Sequence, residues 1–384
     1  MRVLVSDGSY KHTLGIVRDL GVRGSEVFVC SDVRPAIAGM SRHCRGHFSV
    51  PRTDDSAYPS ELEKIIRAES IDLYLPVGYR SCLAAAINRE RLLTCCRVFV
   101  PDEQVVRSAA DKSQMTTLAQ ELSIPVPRSF APSTLDDALA YGKRADYPLV
   151  IKGKTEAAPF ATMYADNSKQ FELCYRQLVE KHALDSSQLP IIQHRLTGCG
   201  FGFFAFYFDG VMQAHFMHRR IREYPVSGGP STCAESFADT LLLDLGKRLL
   251  DRLRWHGVAM VEFKQNRLTG DYCFLEINPK FWGSHDLALH CGVSFPYMMV
   301  QITRGERLHT TPKYQTGTRF HWPLSGDFKG SLWRPRRFFA VLCDCLNPRV
   351  ASNIRLSDLE PNLAEMVQTY LPRSLKQVLK RRRT

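Results

Sequence analysis

The feature that most constrains this chain is a pair of apolar strands carrying two carboxylates and an amide. Gly257-Val-Ala-Met-Val-Glu262-Phe263 and Tyr272-Cys-Phe-Leu-Glu276-Ile-Asn278 flank a polar, glycine-containing turn over 266–271, the pattern of an antiparallel hairpin. Strand side chains alternate, so Glu276 and Asn278 share a face, and pairing brings Glu262 opposite them. Three hard oxygen donors converging from an otherwise apolar hairpin suit Mg²⁺, which takes few protein carboxylates and leaves positions for phosphate oxygens. One glutamate on a hairpin is ordinarily a solvated residue. The whole string does not read that way.

The 384 residues exceed what a single core of ordinary size organises, so two or three domains are expected. Hydrophobic content of 44% with 23% charged residues is globular and argues against disorder. Twelve cysteines are scattered with no C-x-x-C pair. That distribution implies reduced thiols in a cytosolic protein, not a disulfide framework or a zinc site. Met1-Arg-Val-Leu-Val5 leads directly into a strand, and no run of eighteen apolar residues exists. The expectation is a cytoplasmic protein without a secretory leader or membrane span.

Short β runs at 3–5, 26–30, 71–76 and 98–101 alternate with helical stretches at 12–20, 58–68 and 81–93. This predicts an open, mainly parallel α/β domain, with Ser6-Asp7-Gly8-Ser9 as a ligand-facing loop at its carboxyl edge. The absence of G-x-G-x-x-G argues against a dinucleotide site. Further on, Tyr147-Pro-Leu-Val-Ile-Lys152 ends a buried strand in a lysine, which is costly unless the ammonium meets an anion. Lys112 stands near the start of an earlier helix. The run from Leu189 to Gln193 passes into a loop at Leu196. After a Phe-rich strand comes His218-Arg219-Arg220-Ile-Arg222-Glu-Tyr-Pro-Val-Ser227-Gly-Gly229. Three clustered guanidinium groups followed by a small-residue stretch read as an anion clamp with a lid. The alternative is a polar outer strand face.

Together with these residues, the string Val-Glu262-Phe … Phe-Leu-Glu276-Ile-Asn278-Pro-Lys280-Phe-Trp-Gly283 resembles the metal-binding core of the ATP-grasp superfamily. The likeness is to the branch of the carbamoyl-phosphate synthase large chain and biotin carboxylase, over residues 1–305. The resemblance implies an α/β and α+β architecture. A preceding α/β domain would span 1–101, an ATP-grasp N-terminal lobe 102–195 and a C-terminal lobe with the metal site 196–305, followed by a basic extension over 306–384. It implies ATP as the nucleotide, with Lys112 and Lys152 on its phosphates and Gln193 and Leu196 at the adenine hinge. Mg²⁺, replaceable by Mn²⁺, falls to Glu262, Glu276 and Asn278. Arg219, Arg220, Arg222 and Lys280 would stabilise the transferred phosphoryl group and the reacting acid. The activity implied is that of a ligase joining small carboxylate and amine substrates through an acyl phosphate. Other readings are a bicarbonate-using carboxylase or carbamoyl-phosphate-type enzyme, a phosphotransferase, and a non-enzymatic nucleotide-binding protein.

Three departures from the family pattern stand out. The loop after Lys152, Gly153-Lys-Thr-Glu-Ala-Ala-Pro-Phe160, has one glycine where several normally let backbone amides fold over phosphates. Cys199 replaces an acid that holds the ribose. Lys280 replaces an arginine, keeping charge without the bidentate fork. His285 reads as packing more readily than as a base.

Charge is concentrated at the end. Residues 328–384 hold twelve Lys/Arg against four Asp/Glu, +8 of the chain's +12. Trp333-Arg-Pro-Arg336-Arg337-Phe338-Phe339 and Leu375-Lys-Gln-Val-Leu-Lys380-Arg-Arg-Arg383 mix cations with apolar residues. This is compatible with a solvated end, or with peripheral attachment to an anionic membrane at the inner face. No RNA-binding motif accompanies it, so no specific nucleic acid is expected. A homodimer is compatible with the sequence.

Overall fold

Alternating apolar residues in the opening strands face two helix layers, so the first hundred residues form a sheet covered on both sides. In the computed structural model, residues 1–370 are described apart from 35, 157, 159, 161, 227, 309–311 and 333. Cys44–Ser49, Glu26–Ser31, Arg2–Val5, Leu73–Leu75 and Arg97–Val98 lie in parallel in that spatial order. Val3, Val5, Val27 and Val29 pack with Leu14, Val17 and Leu20 of the helix Lys11–Val22. Leu4, Phe28 and Tyr74 pack on the other face with Leu62 and Ile66 of the helix Tyr58–Ala68. No apolar run marks Cys44–Ser49, an edge strand of intermediate and exposed residues, which is why the periodicity misses it. The helical stretch at 81–93 splits into Tyr79–Ile87 and Arg89–Leu93. Asn88 between them donates its amide to the Ala84 carbonyl at 2.8 Å, a side-chain bond that competes with helix continuation.

A second sheet is antiparallel, ordered Ser129–Phe130, Ile191–His194, Leu149–Lys152, Met163–Ala165. Leu149, Ile151, Ile192 and Ala165 bury against Phe171, Tyr175 and Leu178 of the helix Ser168–His182. The strand Leu149–Lys152 thus delivers its terminal lysine to the sheet's open side.

The third sheet holds seven strands in the order Tyr272–Asn278, Gly257–Gln265, Gly200–Phe208, Val211–Glu223, Ser231–Phe237, Arg319–His321, Val350–Ser352. Its third strand, Gly200–Phe208, is aromatic on both faces because both are buried. Phe201 and Phe203 join Leu242, Leu245 and Leu249 of the helix Thr240–Arg252. Phe204 and Phe206 join Trp282, Phe295 and the first domain's Leu14 in one continuous core.

The stretch read as a basic extension is built into this architecture through residue 370. Two of its strands extend the third sheet. Arg18 of the first domain, only 2% exposed, binds Asp358 at 2.7 Å, the Asn353 carbonyl at 2.8 Å and Asn362 Oδ1 at 3.0 Å. The basic run Leu375–Arg383, Trp333 and the lid residue Ser227 lie outside the described residues.

Candidate active site

The first domain and the second and third sheets border one cleft of about 1230 Å³. Its walls are residues 9–12 and 78–80 of the first domain, Lys112 and Lys152 from the second block, and the hairpin of the third sheet. Ser325, Lys329 and Glu365 from the C-terminal segment close one end.

On the hairpin, Glu262 pairs directly with Glu276 and Met260 with Asn278, so the two carboxylates and the amide face the cleft together. The register slips by one residue between Glu262 and Phe263. This bulge leaves Leu275 unpaired, and it too lines the cleft. Arg220 meets Glu262 at 2.7 Å and Lys112 meets Glu276 at 3.2 Å. Asn278 donates to Glu276 at 3.4 Å.

These groups tune one another. Burial raises the Glu276 pKa, but Lys112 and Lys152 outweigh it and hold the carboxyl at about 2. Glu262 is pushed up by burial and by Glu276, against the pull of Arg220. Burial also disfavours the Lys112 cation, yet Glu276, Glu156 and Glu262 leave its pKa above normal. Lys152 has no ion pair among the described residues, and burial lowers its pKa. Two opposed carboxylates, one of them resisting ionisation because of its burial and of the other, form a donor set that a divalent cation relieves. Glu262, Glu276 and the Asn278 amide oxygen therefore fit Mg²⁺.

The arginine cluster divides three ways, which corrects the clamp of three. Arg220 lines the cleft and also reaches Glu223 at 3.3 Å. Arg219 alternates to the other face and pairs with Glu235 at 2.8 Å. By alternation Arg222 belongs beside Arg220, but an extra residue at Ile221 shifts the register between them. The bulge rotates Arg222 onto Asp327 and Asp344, each at 2.6 Å, so its fork serves the protein interior.

Lys280 lines the cleft and meets Glu156 at 3.1 Å. Glu156 lies in the loop after Lys152, which is anchored by backbone bonds more than by glycine freedom. The Lys112 amide donates to the Lys154 carbonyl at 2.9 Å, and Thr155 bridges Asp111. Gln193 and Leu196 both border the cleft, Gln193 donating to Ser129 Oγ at 3.0 Å. Cys199 is exposed and outside the cleft lining. Lys264 and Glu223 also line the cleft. Lys264 was legible, being two residues beyond Glu262 on the same strand face. His285 is fully buried among Phe281, Trp282 and Phe295, and burial drives its pKa down to about 3. It is a neutral packing residue.

At the other end of the cleft, Lys11 sits 4.5 Å from the Trp322 ring centroid and 3.3 Å from the Ser231 carbonyl. It has no ion pair among the described residues, and burial lowers its pKa to about 8. The buried Ser231 hydroxyl beside it is unpartnered. Nothing local marked Lys11 in the sequence, since it opens a helix like many solvated lysines.

No family model matches the chain. Among curated proteins, the mitochondrial arginine-specific carbamoyl phosphate synthase large chain of Neurospora crassa is 21% identical over 117 residues, 29% of this chain. The match spans only 10% of that protein's length. Among solved structures, a Campylobacter jejuni biotin carboxylase in complex with ATP superposes with a TM-score of 0.66 at 14% identity, covering 83% of this chain and 74% of that one. An L-amino acid ligase from Bacillus licheniformis gives 0.62 at 14% identity, covering 79% and 73%. A Staphylococcus aureus N5-carboxyaminoimidazole synthetase complexed with ADP gives 0.63 at 11%, covering 82% and 79%. The three share one fold with this chain.

Proposed function

We propose that this chain, whose fold is the ATP-grasp fold of its structural neighbours, is an ATP-dependent ligase that joins a carboxylate to an amine. The observation that carries the reading is the meeting of the opposed Glu262 and Glu276 with Lys112, Lys152 and Arg220 in one cleft. Cations that outnumber nearby acids and lack full pairing suit a triphosphate and its transferred group.

In this reading the nucleotide lies between the second and third sheets. Leu196 and Gln193 border the base, and Lys152 and Lys112 hold phosphate oxygens. Mg²⁺, when held by Glu262, Glu276 and Asn278, neutralises phosphate charge, and Mn²⁺ suits the same oxygen donors. A substrate carboxylate oxygen attacks the γ-phosphorus, the bond to the β–γ bridging oxygen breaks, and ADP leaves. Arg220 and Lys280 stabilise the charge on the acyl phosphate. The amine then attacks the acyl carbon and expels inorganic phosphate, completing the amide. Lys11 and Ser231 mark the acceptor end and favour a substrate bearing a further anionic group.

Two neighbours favour a second reading. Biotin carboxylases stand among the superposing structures, one of them in complex with bicarbonate, so bicarbonate is the competing acid. An ¹⁸O-labelled carboxylate separates the two. Transfer of one label into inorganic phosphate from an organic acid supports the ligase. Transfer from labelled bicarbonate alone supports the carboxylase, and label remaining in the acid refutes activation through an acyl phosphate.

A further inference from the structure

The helix Pro335–Leu346 is fixed by one face and bare on the other. Val341 and Asp344 are buried, and Asp344 is tied to Arg222 and Arg319. At about 100° per residue, Arg336, Phe339, Cys343 and Leu346 fall together on the opposite side. Phe339 is 66% and Leu346 84% exposed. Leu332, just before the helix, is 56% exposed. Single exposed apolar residues are ordinary, but a run of them along one element marks an interaction surface.

The charge around this run has one sign. Arg334, Arg336 and Arg349, at and just beyond the ends of the helix, are exposed. The only acids between residues 328 and 359 are Asp344 and Asp358, both buried and both paired, with Arg222 and Arg18. Residues 371–384 add six more Lys/Arg and no acid.

We propose that this face docks on an anionic lipid bilayer. Phe339 and Leu346 enter the boundary between headgroups and acyl chains, and the surrounding arginines meet lipid phosphates. For a helix lying in the interface, buried apolar area and the attraction of flanking cations to anionic lipid add. A second copy of the chain fits the same face poorly, because a two-fold contact would set arginines against arginines. The inference is independent of the ligase reading, since it rests on none of the cleft residues.

The test is co-sedimentation of the full chain with phosphatidylcholine vesicles, with and without phosphatidylglycerol. The expected result is binding only to the anionic vesicles. It should fall at least about tenfold in the double variant F339D/L346D and in R334Q/R336Q, with thermal midpoints unchanged. A F339W variant should also gain a blue-shifted emission when anionic vesicles are added, a readout that does not depend on the charged variants folding. Failure of the wild type to bind anionic vesicles overturns the proposal. So does binding that survives F339D/L346D and disappears in K380Q/R381Q/R382Q/R383Q, which would assign the attachment to the tail. A concentration-dependent dimer in size-exclusion chromatography that F339D/L346D abolishes would assign the face to a second copy, and an acidic protein partner with no lipid binding would also overturn it.

Discussion

Replacing Arg222 by methionine separates its two readings, anion clamp and internal brace. The guanidinium donates to Asp327 and Asp344, both at 2.6 Å, and Asp327 is fully buried. Removing one partner of a buried ion pair leaves the other charge uncompensated, at a cost of about 3–5 kcal/mol. Thr232 also donates to Asp327, at 2.9 Å, and Arg337 stands 3.7 Å away. These residual partners place the loss toward the lower end, about 3 kcal/mol. For a cooperative unit of 150–250 residues, about 2–4 °C is lost per kcal/mol, so the thermal midpoint should fall roughly 6–12 °C. Below that midpoint, ADP affinity should stay within about twofold of wild type, because no atom of Arg222 lines the cleft. Arg220→Met is the contrasting variant. It should lower turnover by roughly 100-fold or more, as loss of a charge-stabilising group does. Differential scanning calorimetry with a coupled ADP-release assay measures both. An Arg222→Met protein that keeps its midpoint within about 2 °C yet loses turnover as Arg220→Met does would refute the internal role and restore the clamp.

Lys152→Met should weaken Mg-ADP binding by roughly 10–100-fold, the loss of a charge-assisted contact of about 1.5–3 kcal/mol, measured by equilibrium titration. Lys11 carries a pKa of about 8, so any acceptor affinity that depends on its cation should decline as pH rises through 8, and Lys11→Met should flatten that profile while raising the acceptor KM. The same depressed pKa, below the value of the unfolded chain, means its contribution to stability improves from about pH 8 upward; a stability curve that worsens there would contradict its burial. Glu276 is held below its unfolded value and Glu262 is raised, so stabilisation by Mg-ADP should weaken as falling pH protonates Glu262 first, while Glu276 stays ionised to about pH 2. Chelation of the metal should abolish that stabilisation at any pH, as thermal-shift measurements would report.

The hairpin carrying the two glutamates was legible because its information is local. Period-two alternation and a short turn put Glu262, Glu276 and Asn278 on one face without reference to the rest of the chain. The lysine ending Leu149–Lys152 was legible for a similar reason, a cation at the end of a buried run. The division of Arg219, Arg220 and Arg222 was not, because alternation alone separates the first two while an unannounced bulge at Ile221 decides the third. The Lys11 end of the cleft was least legible. Lys11, Ser325 and Glu365 are far apart in sequence, and the third sheet's two late strands and the Arg18–Asp358 pair help bring them to one cleft. In the first domain the apolar strands were readable and the polar edge strand Cys44–Ser49 was not.

The central claim is acyl-phosphate chemistry at the Glu262–Glu276 hairpin, and hydroxylamine trapping tests it most directly. The chain is incubated with Mg-ATP, hydroxylamine and a panel of amino acids, dicarboxylates and sugar acids, and hydroxamate is measured beside ADP and AMP. The account predicts a hydroxamate from at least one acid, ADP in equal amount, and loss of both in Glu276→Gln with ADP still bound. AMP and pyrophosphate in place of ADP, or hydroxamate formation undiminished in Glu276→Gln, would contradict it.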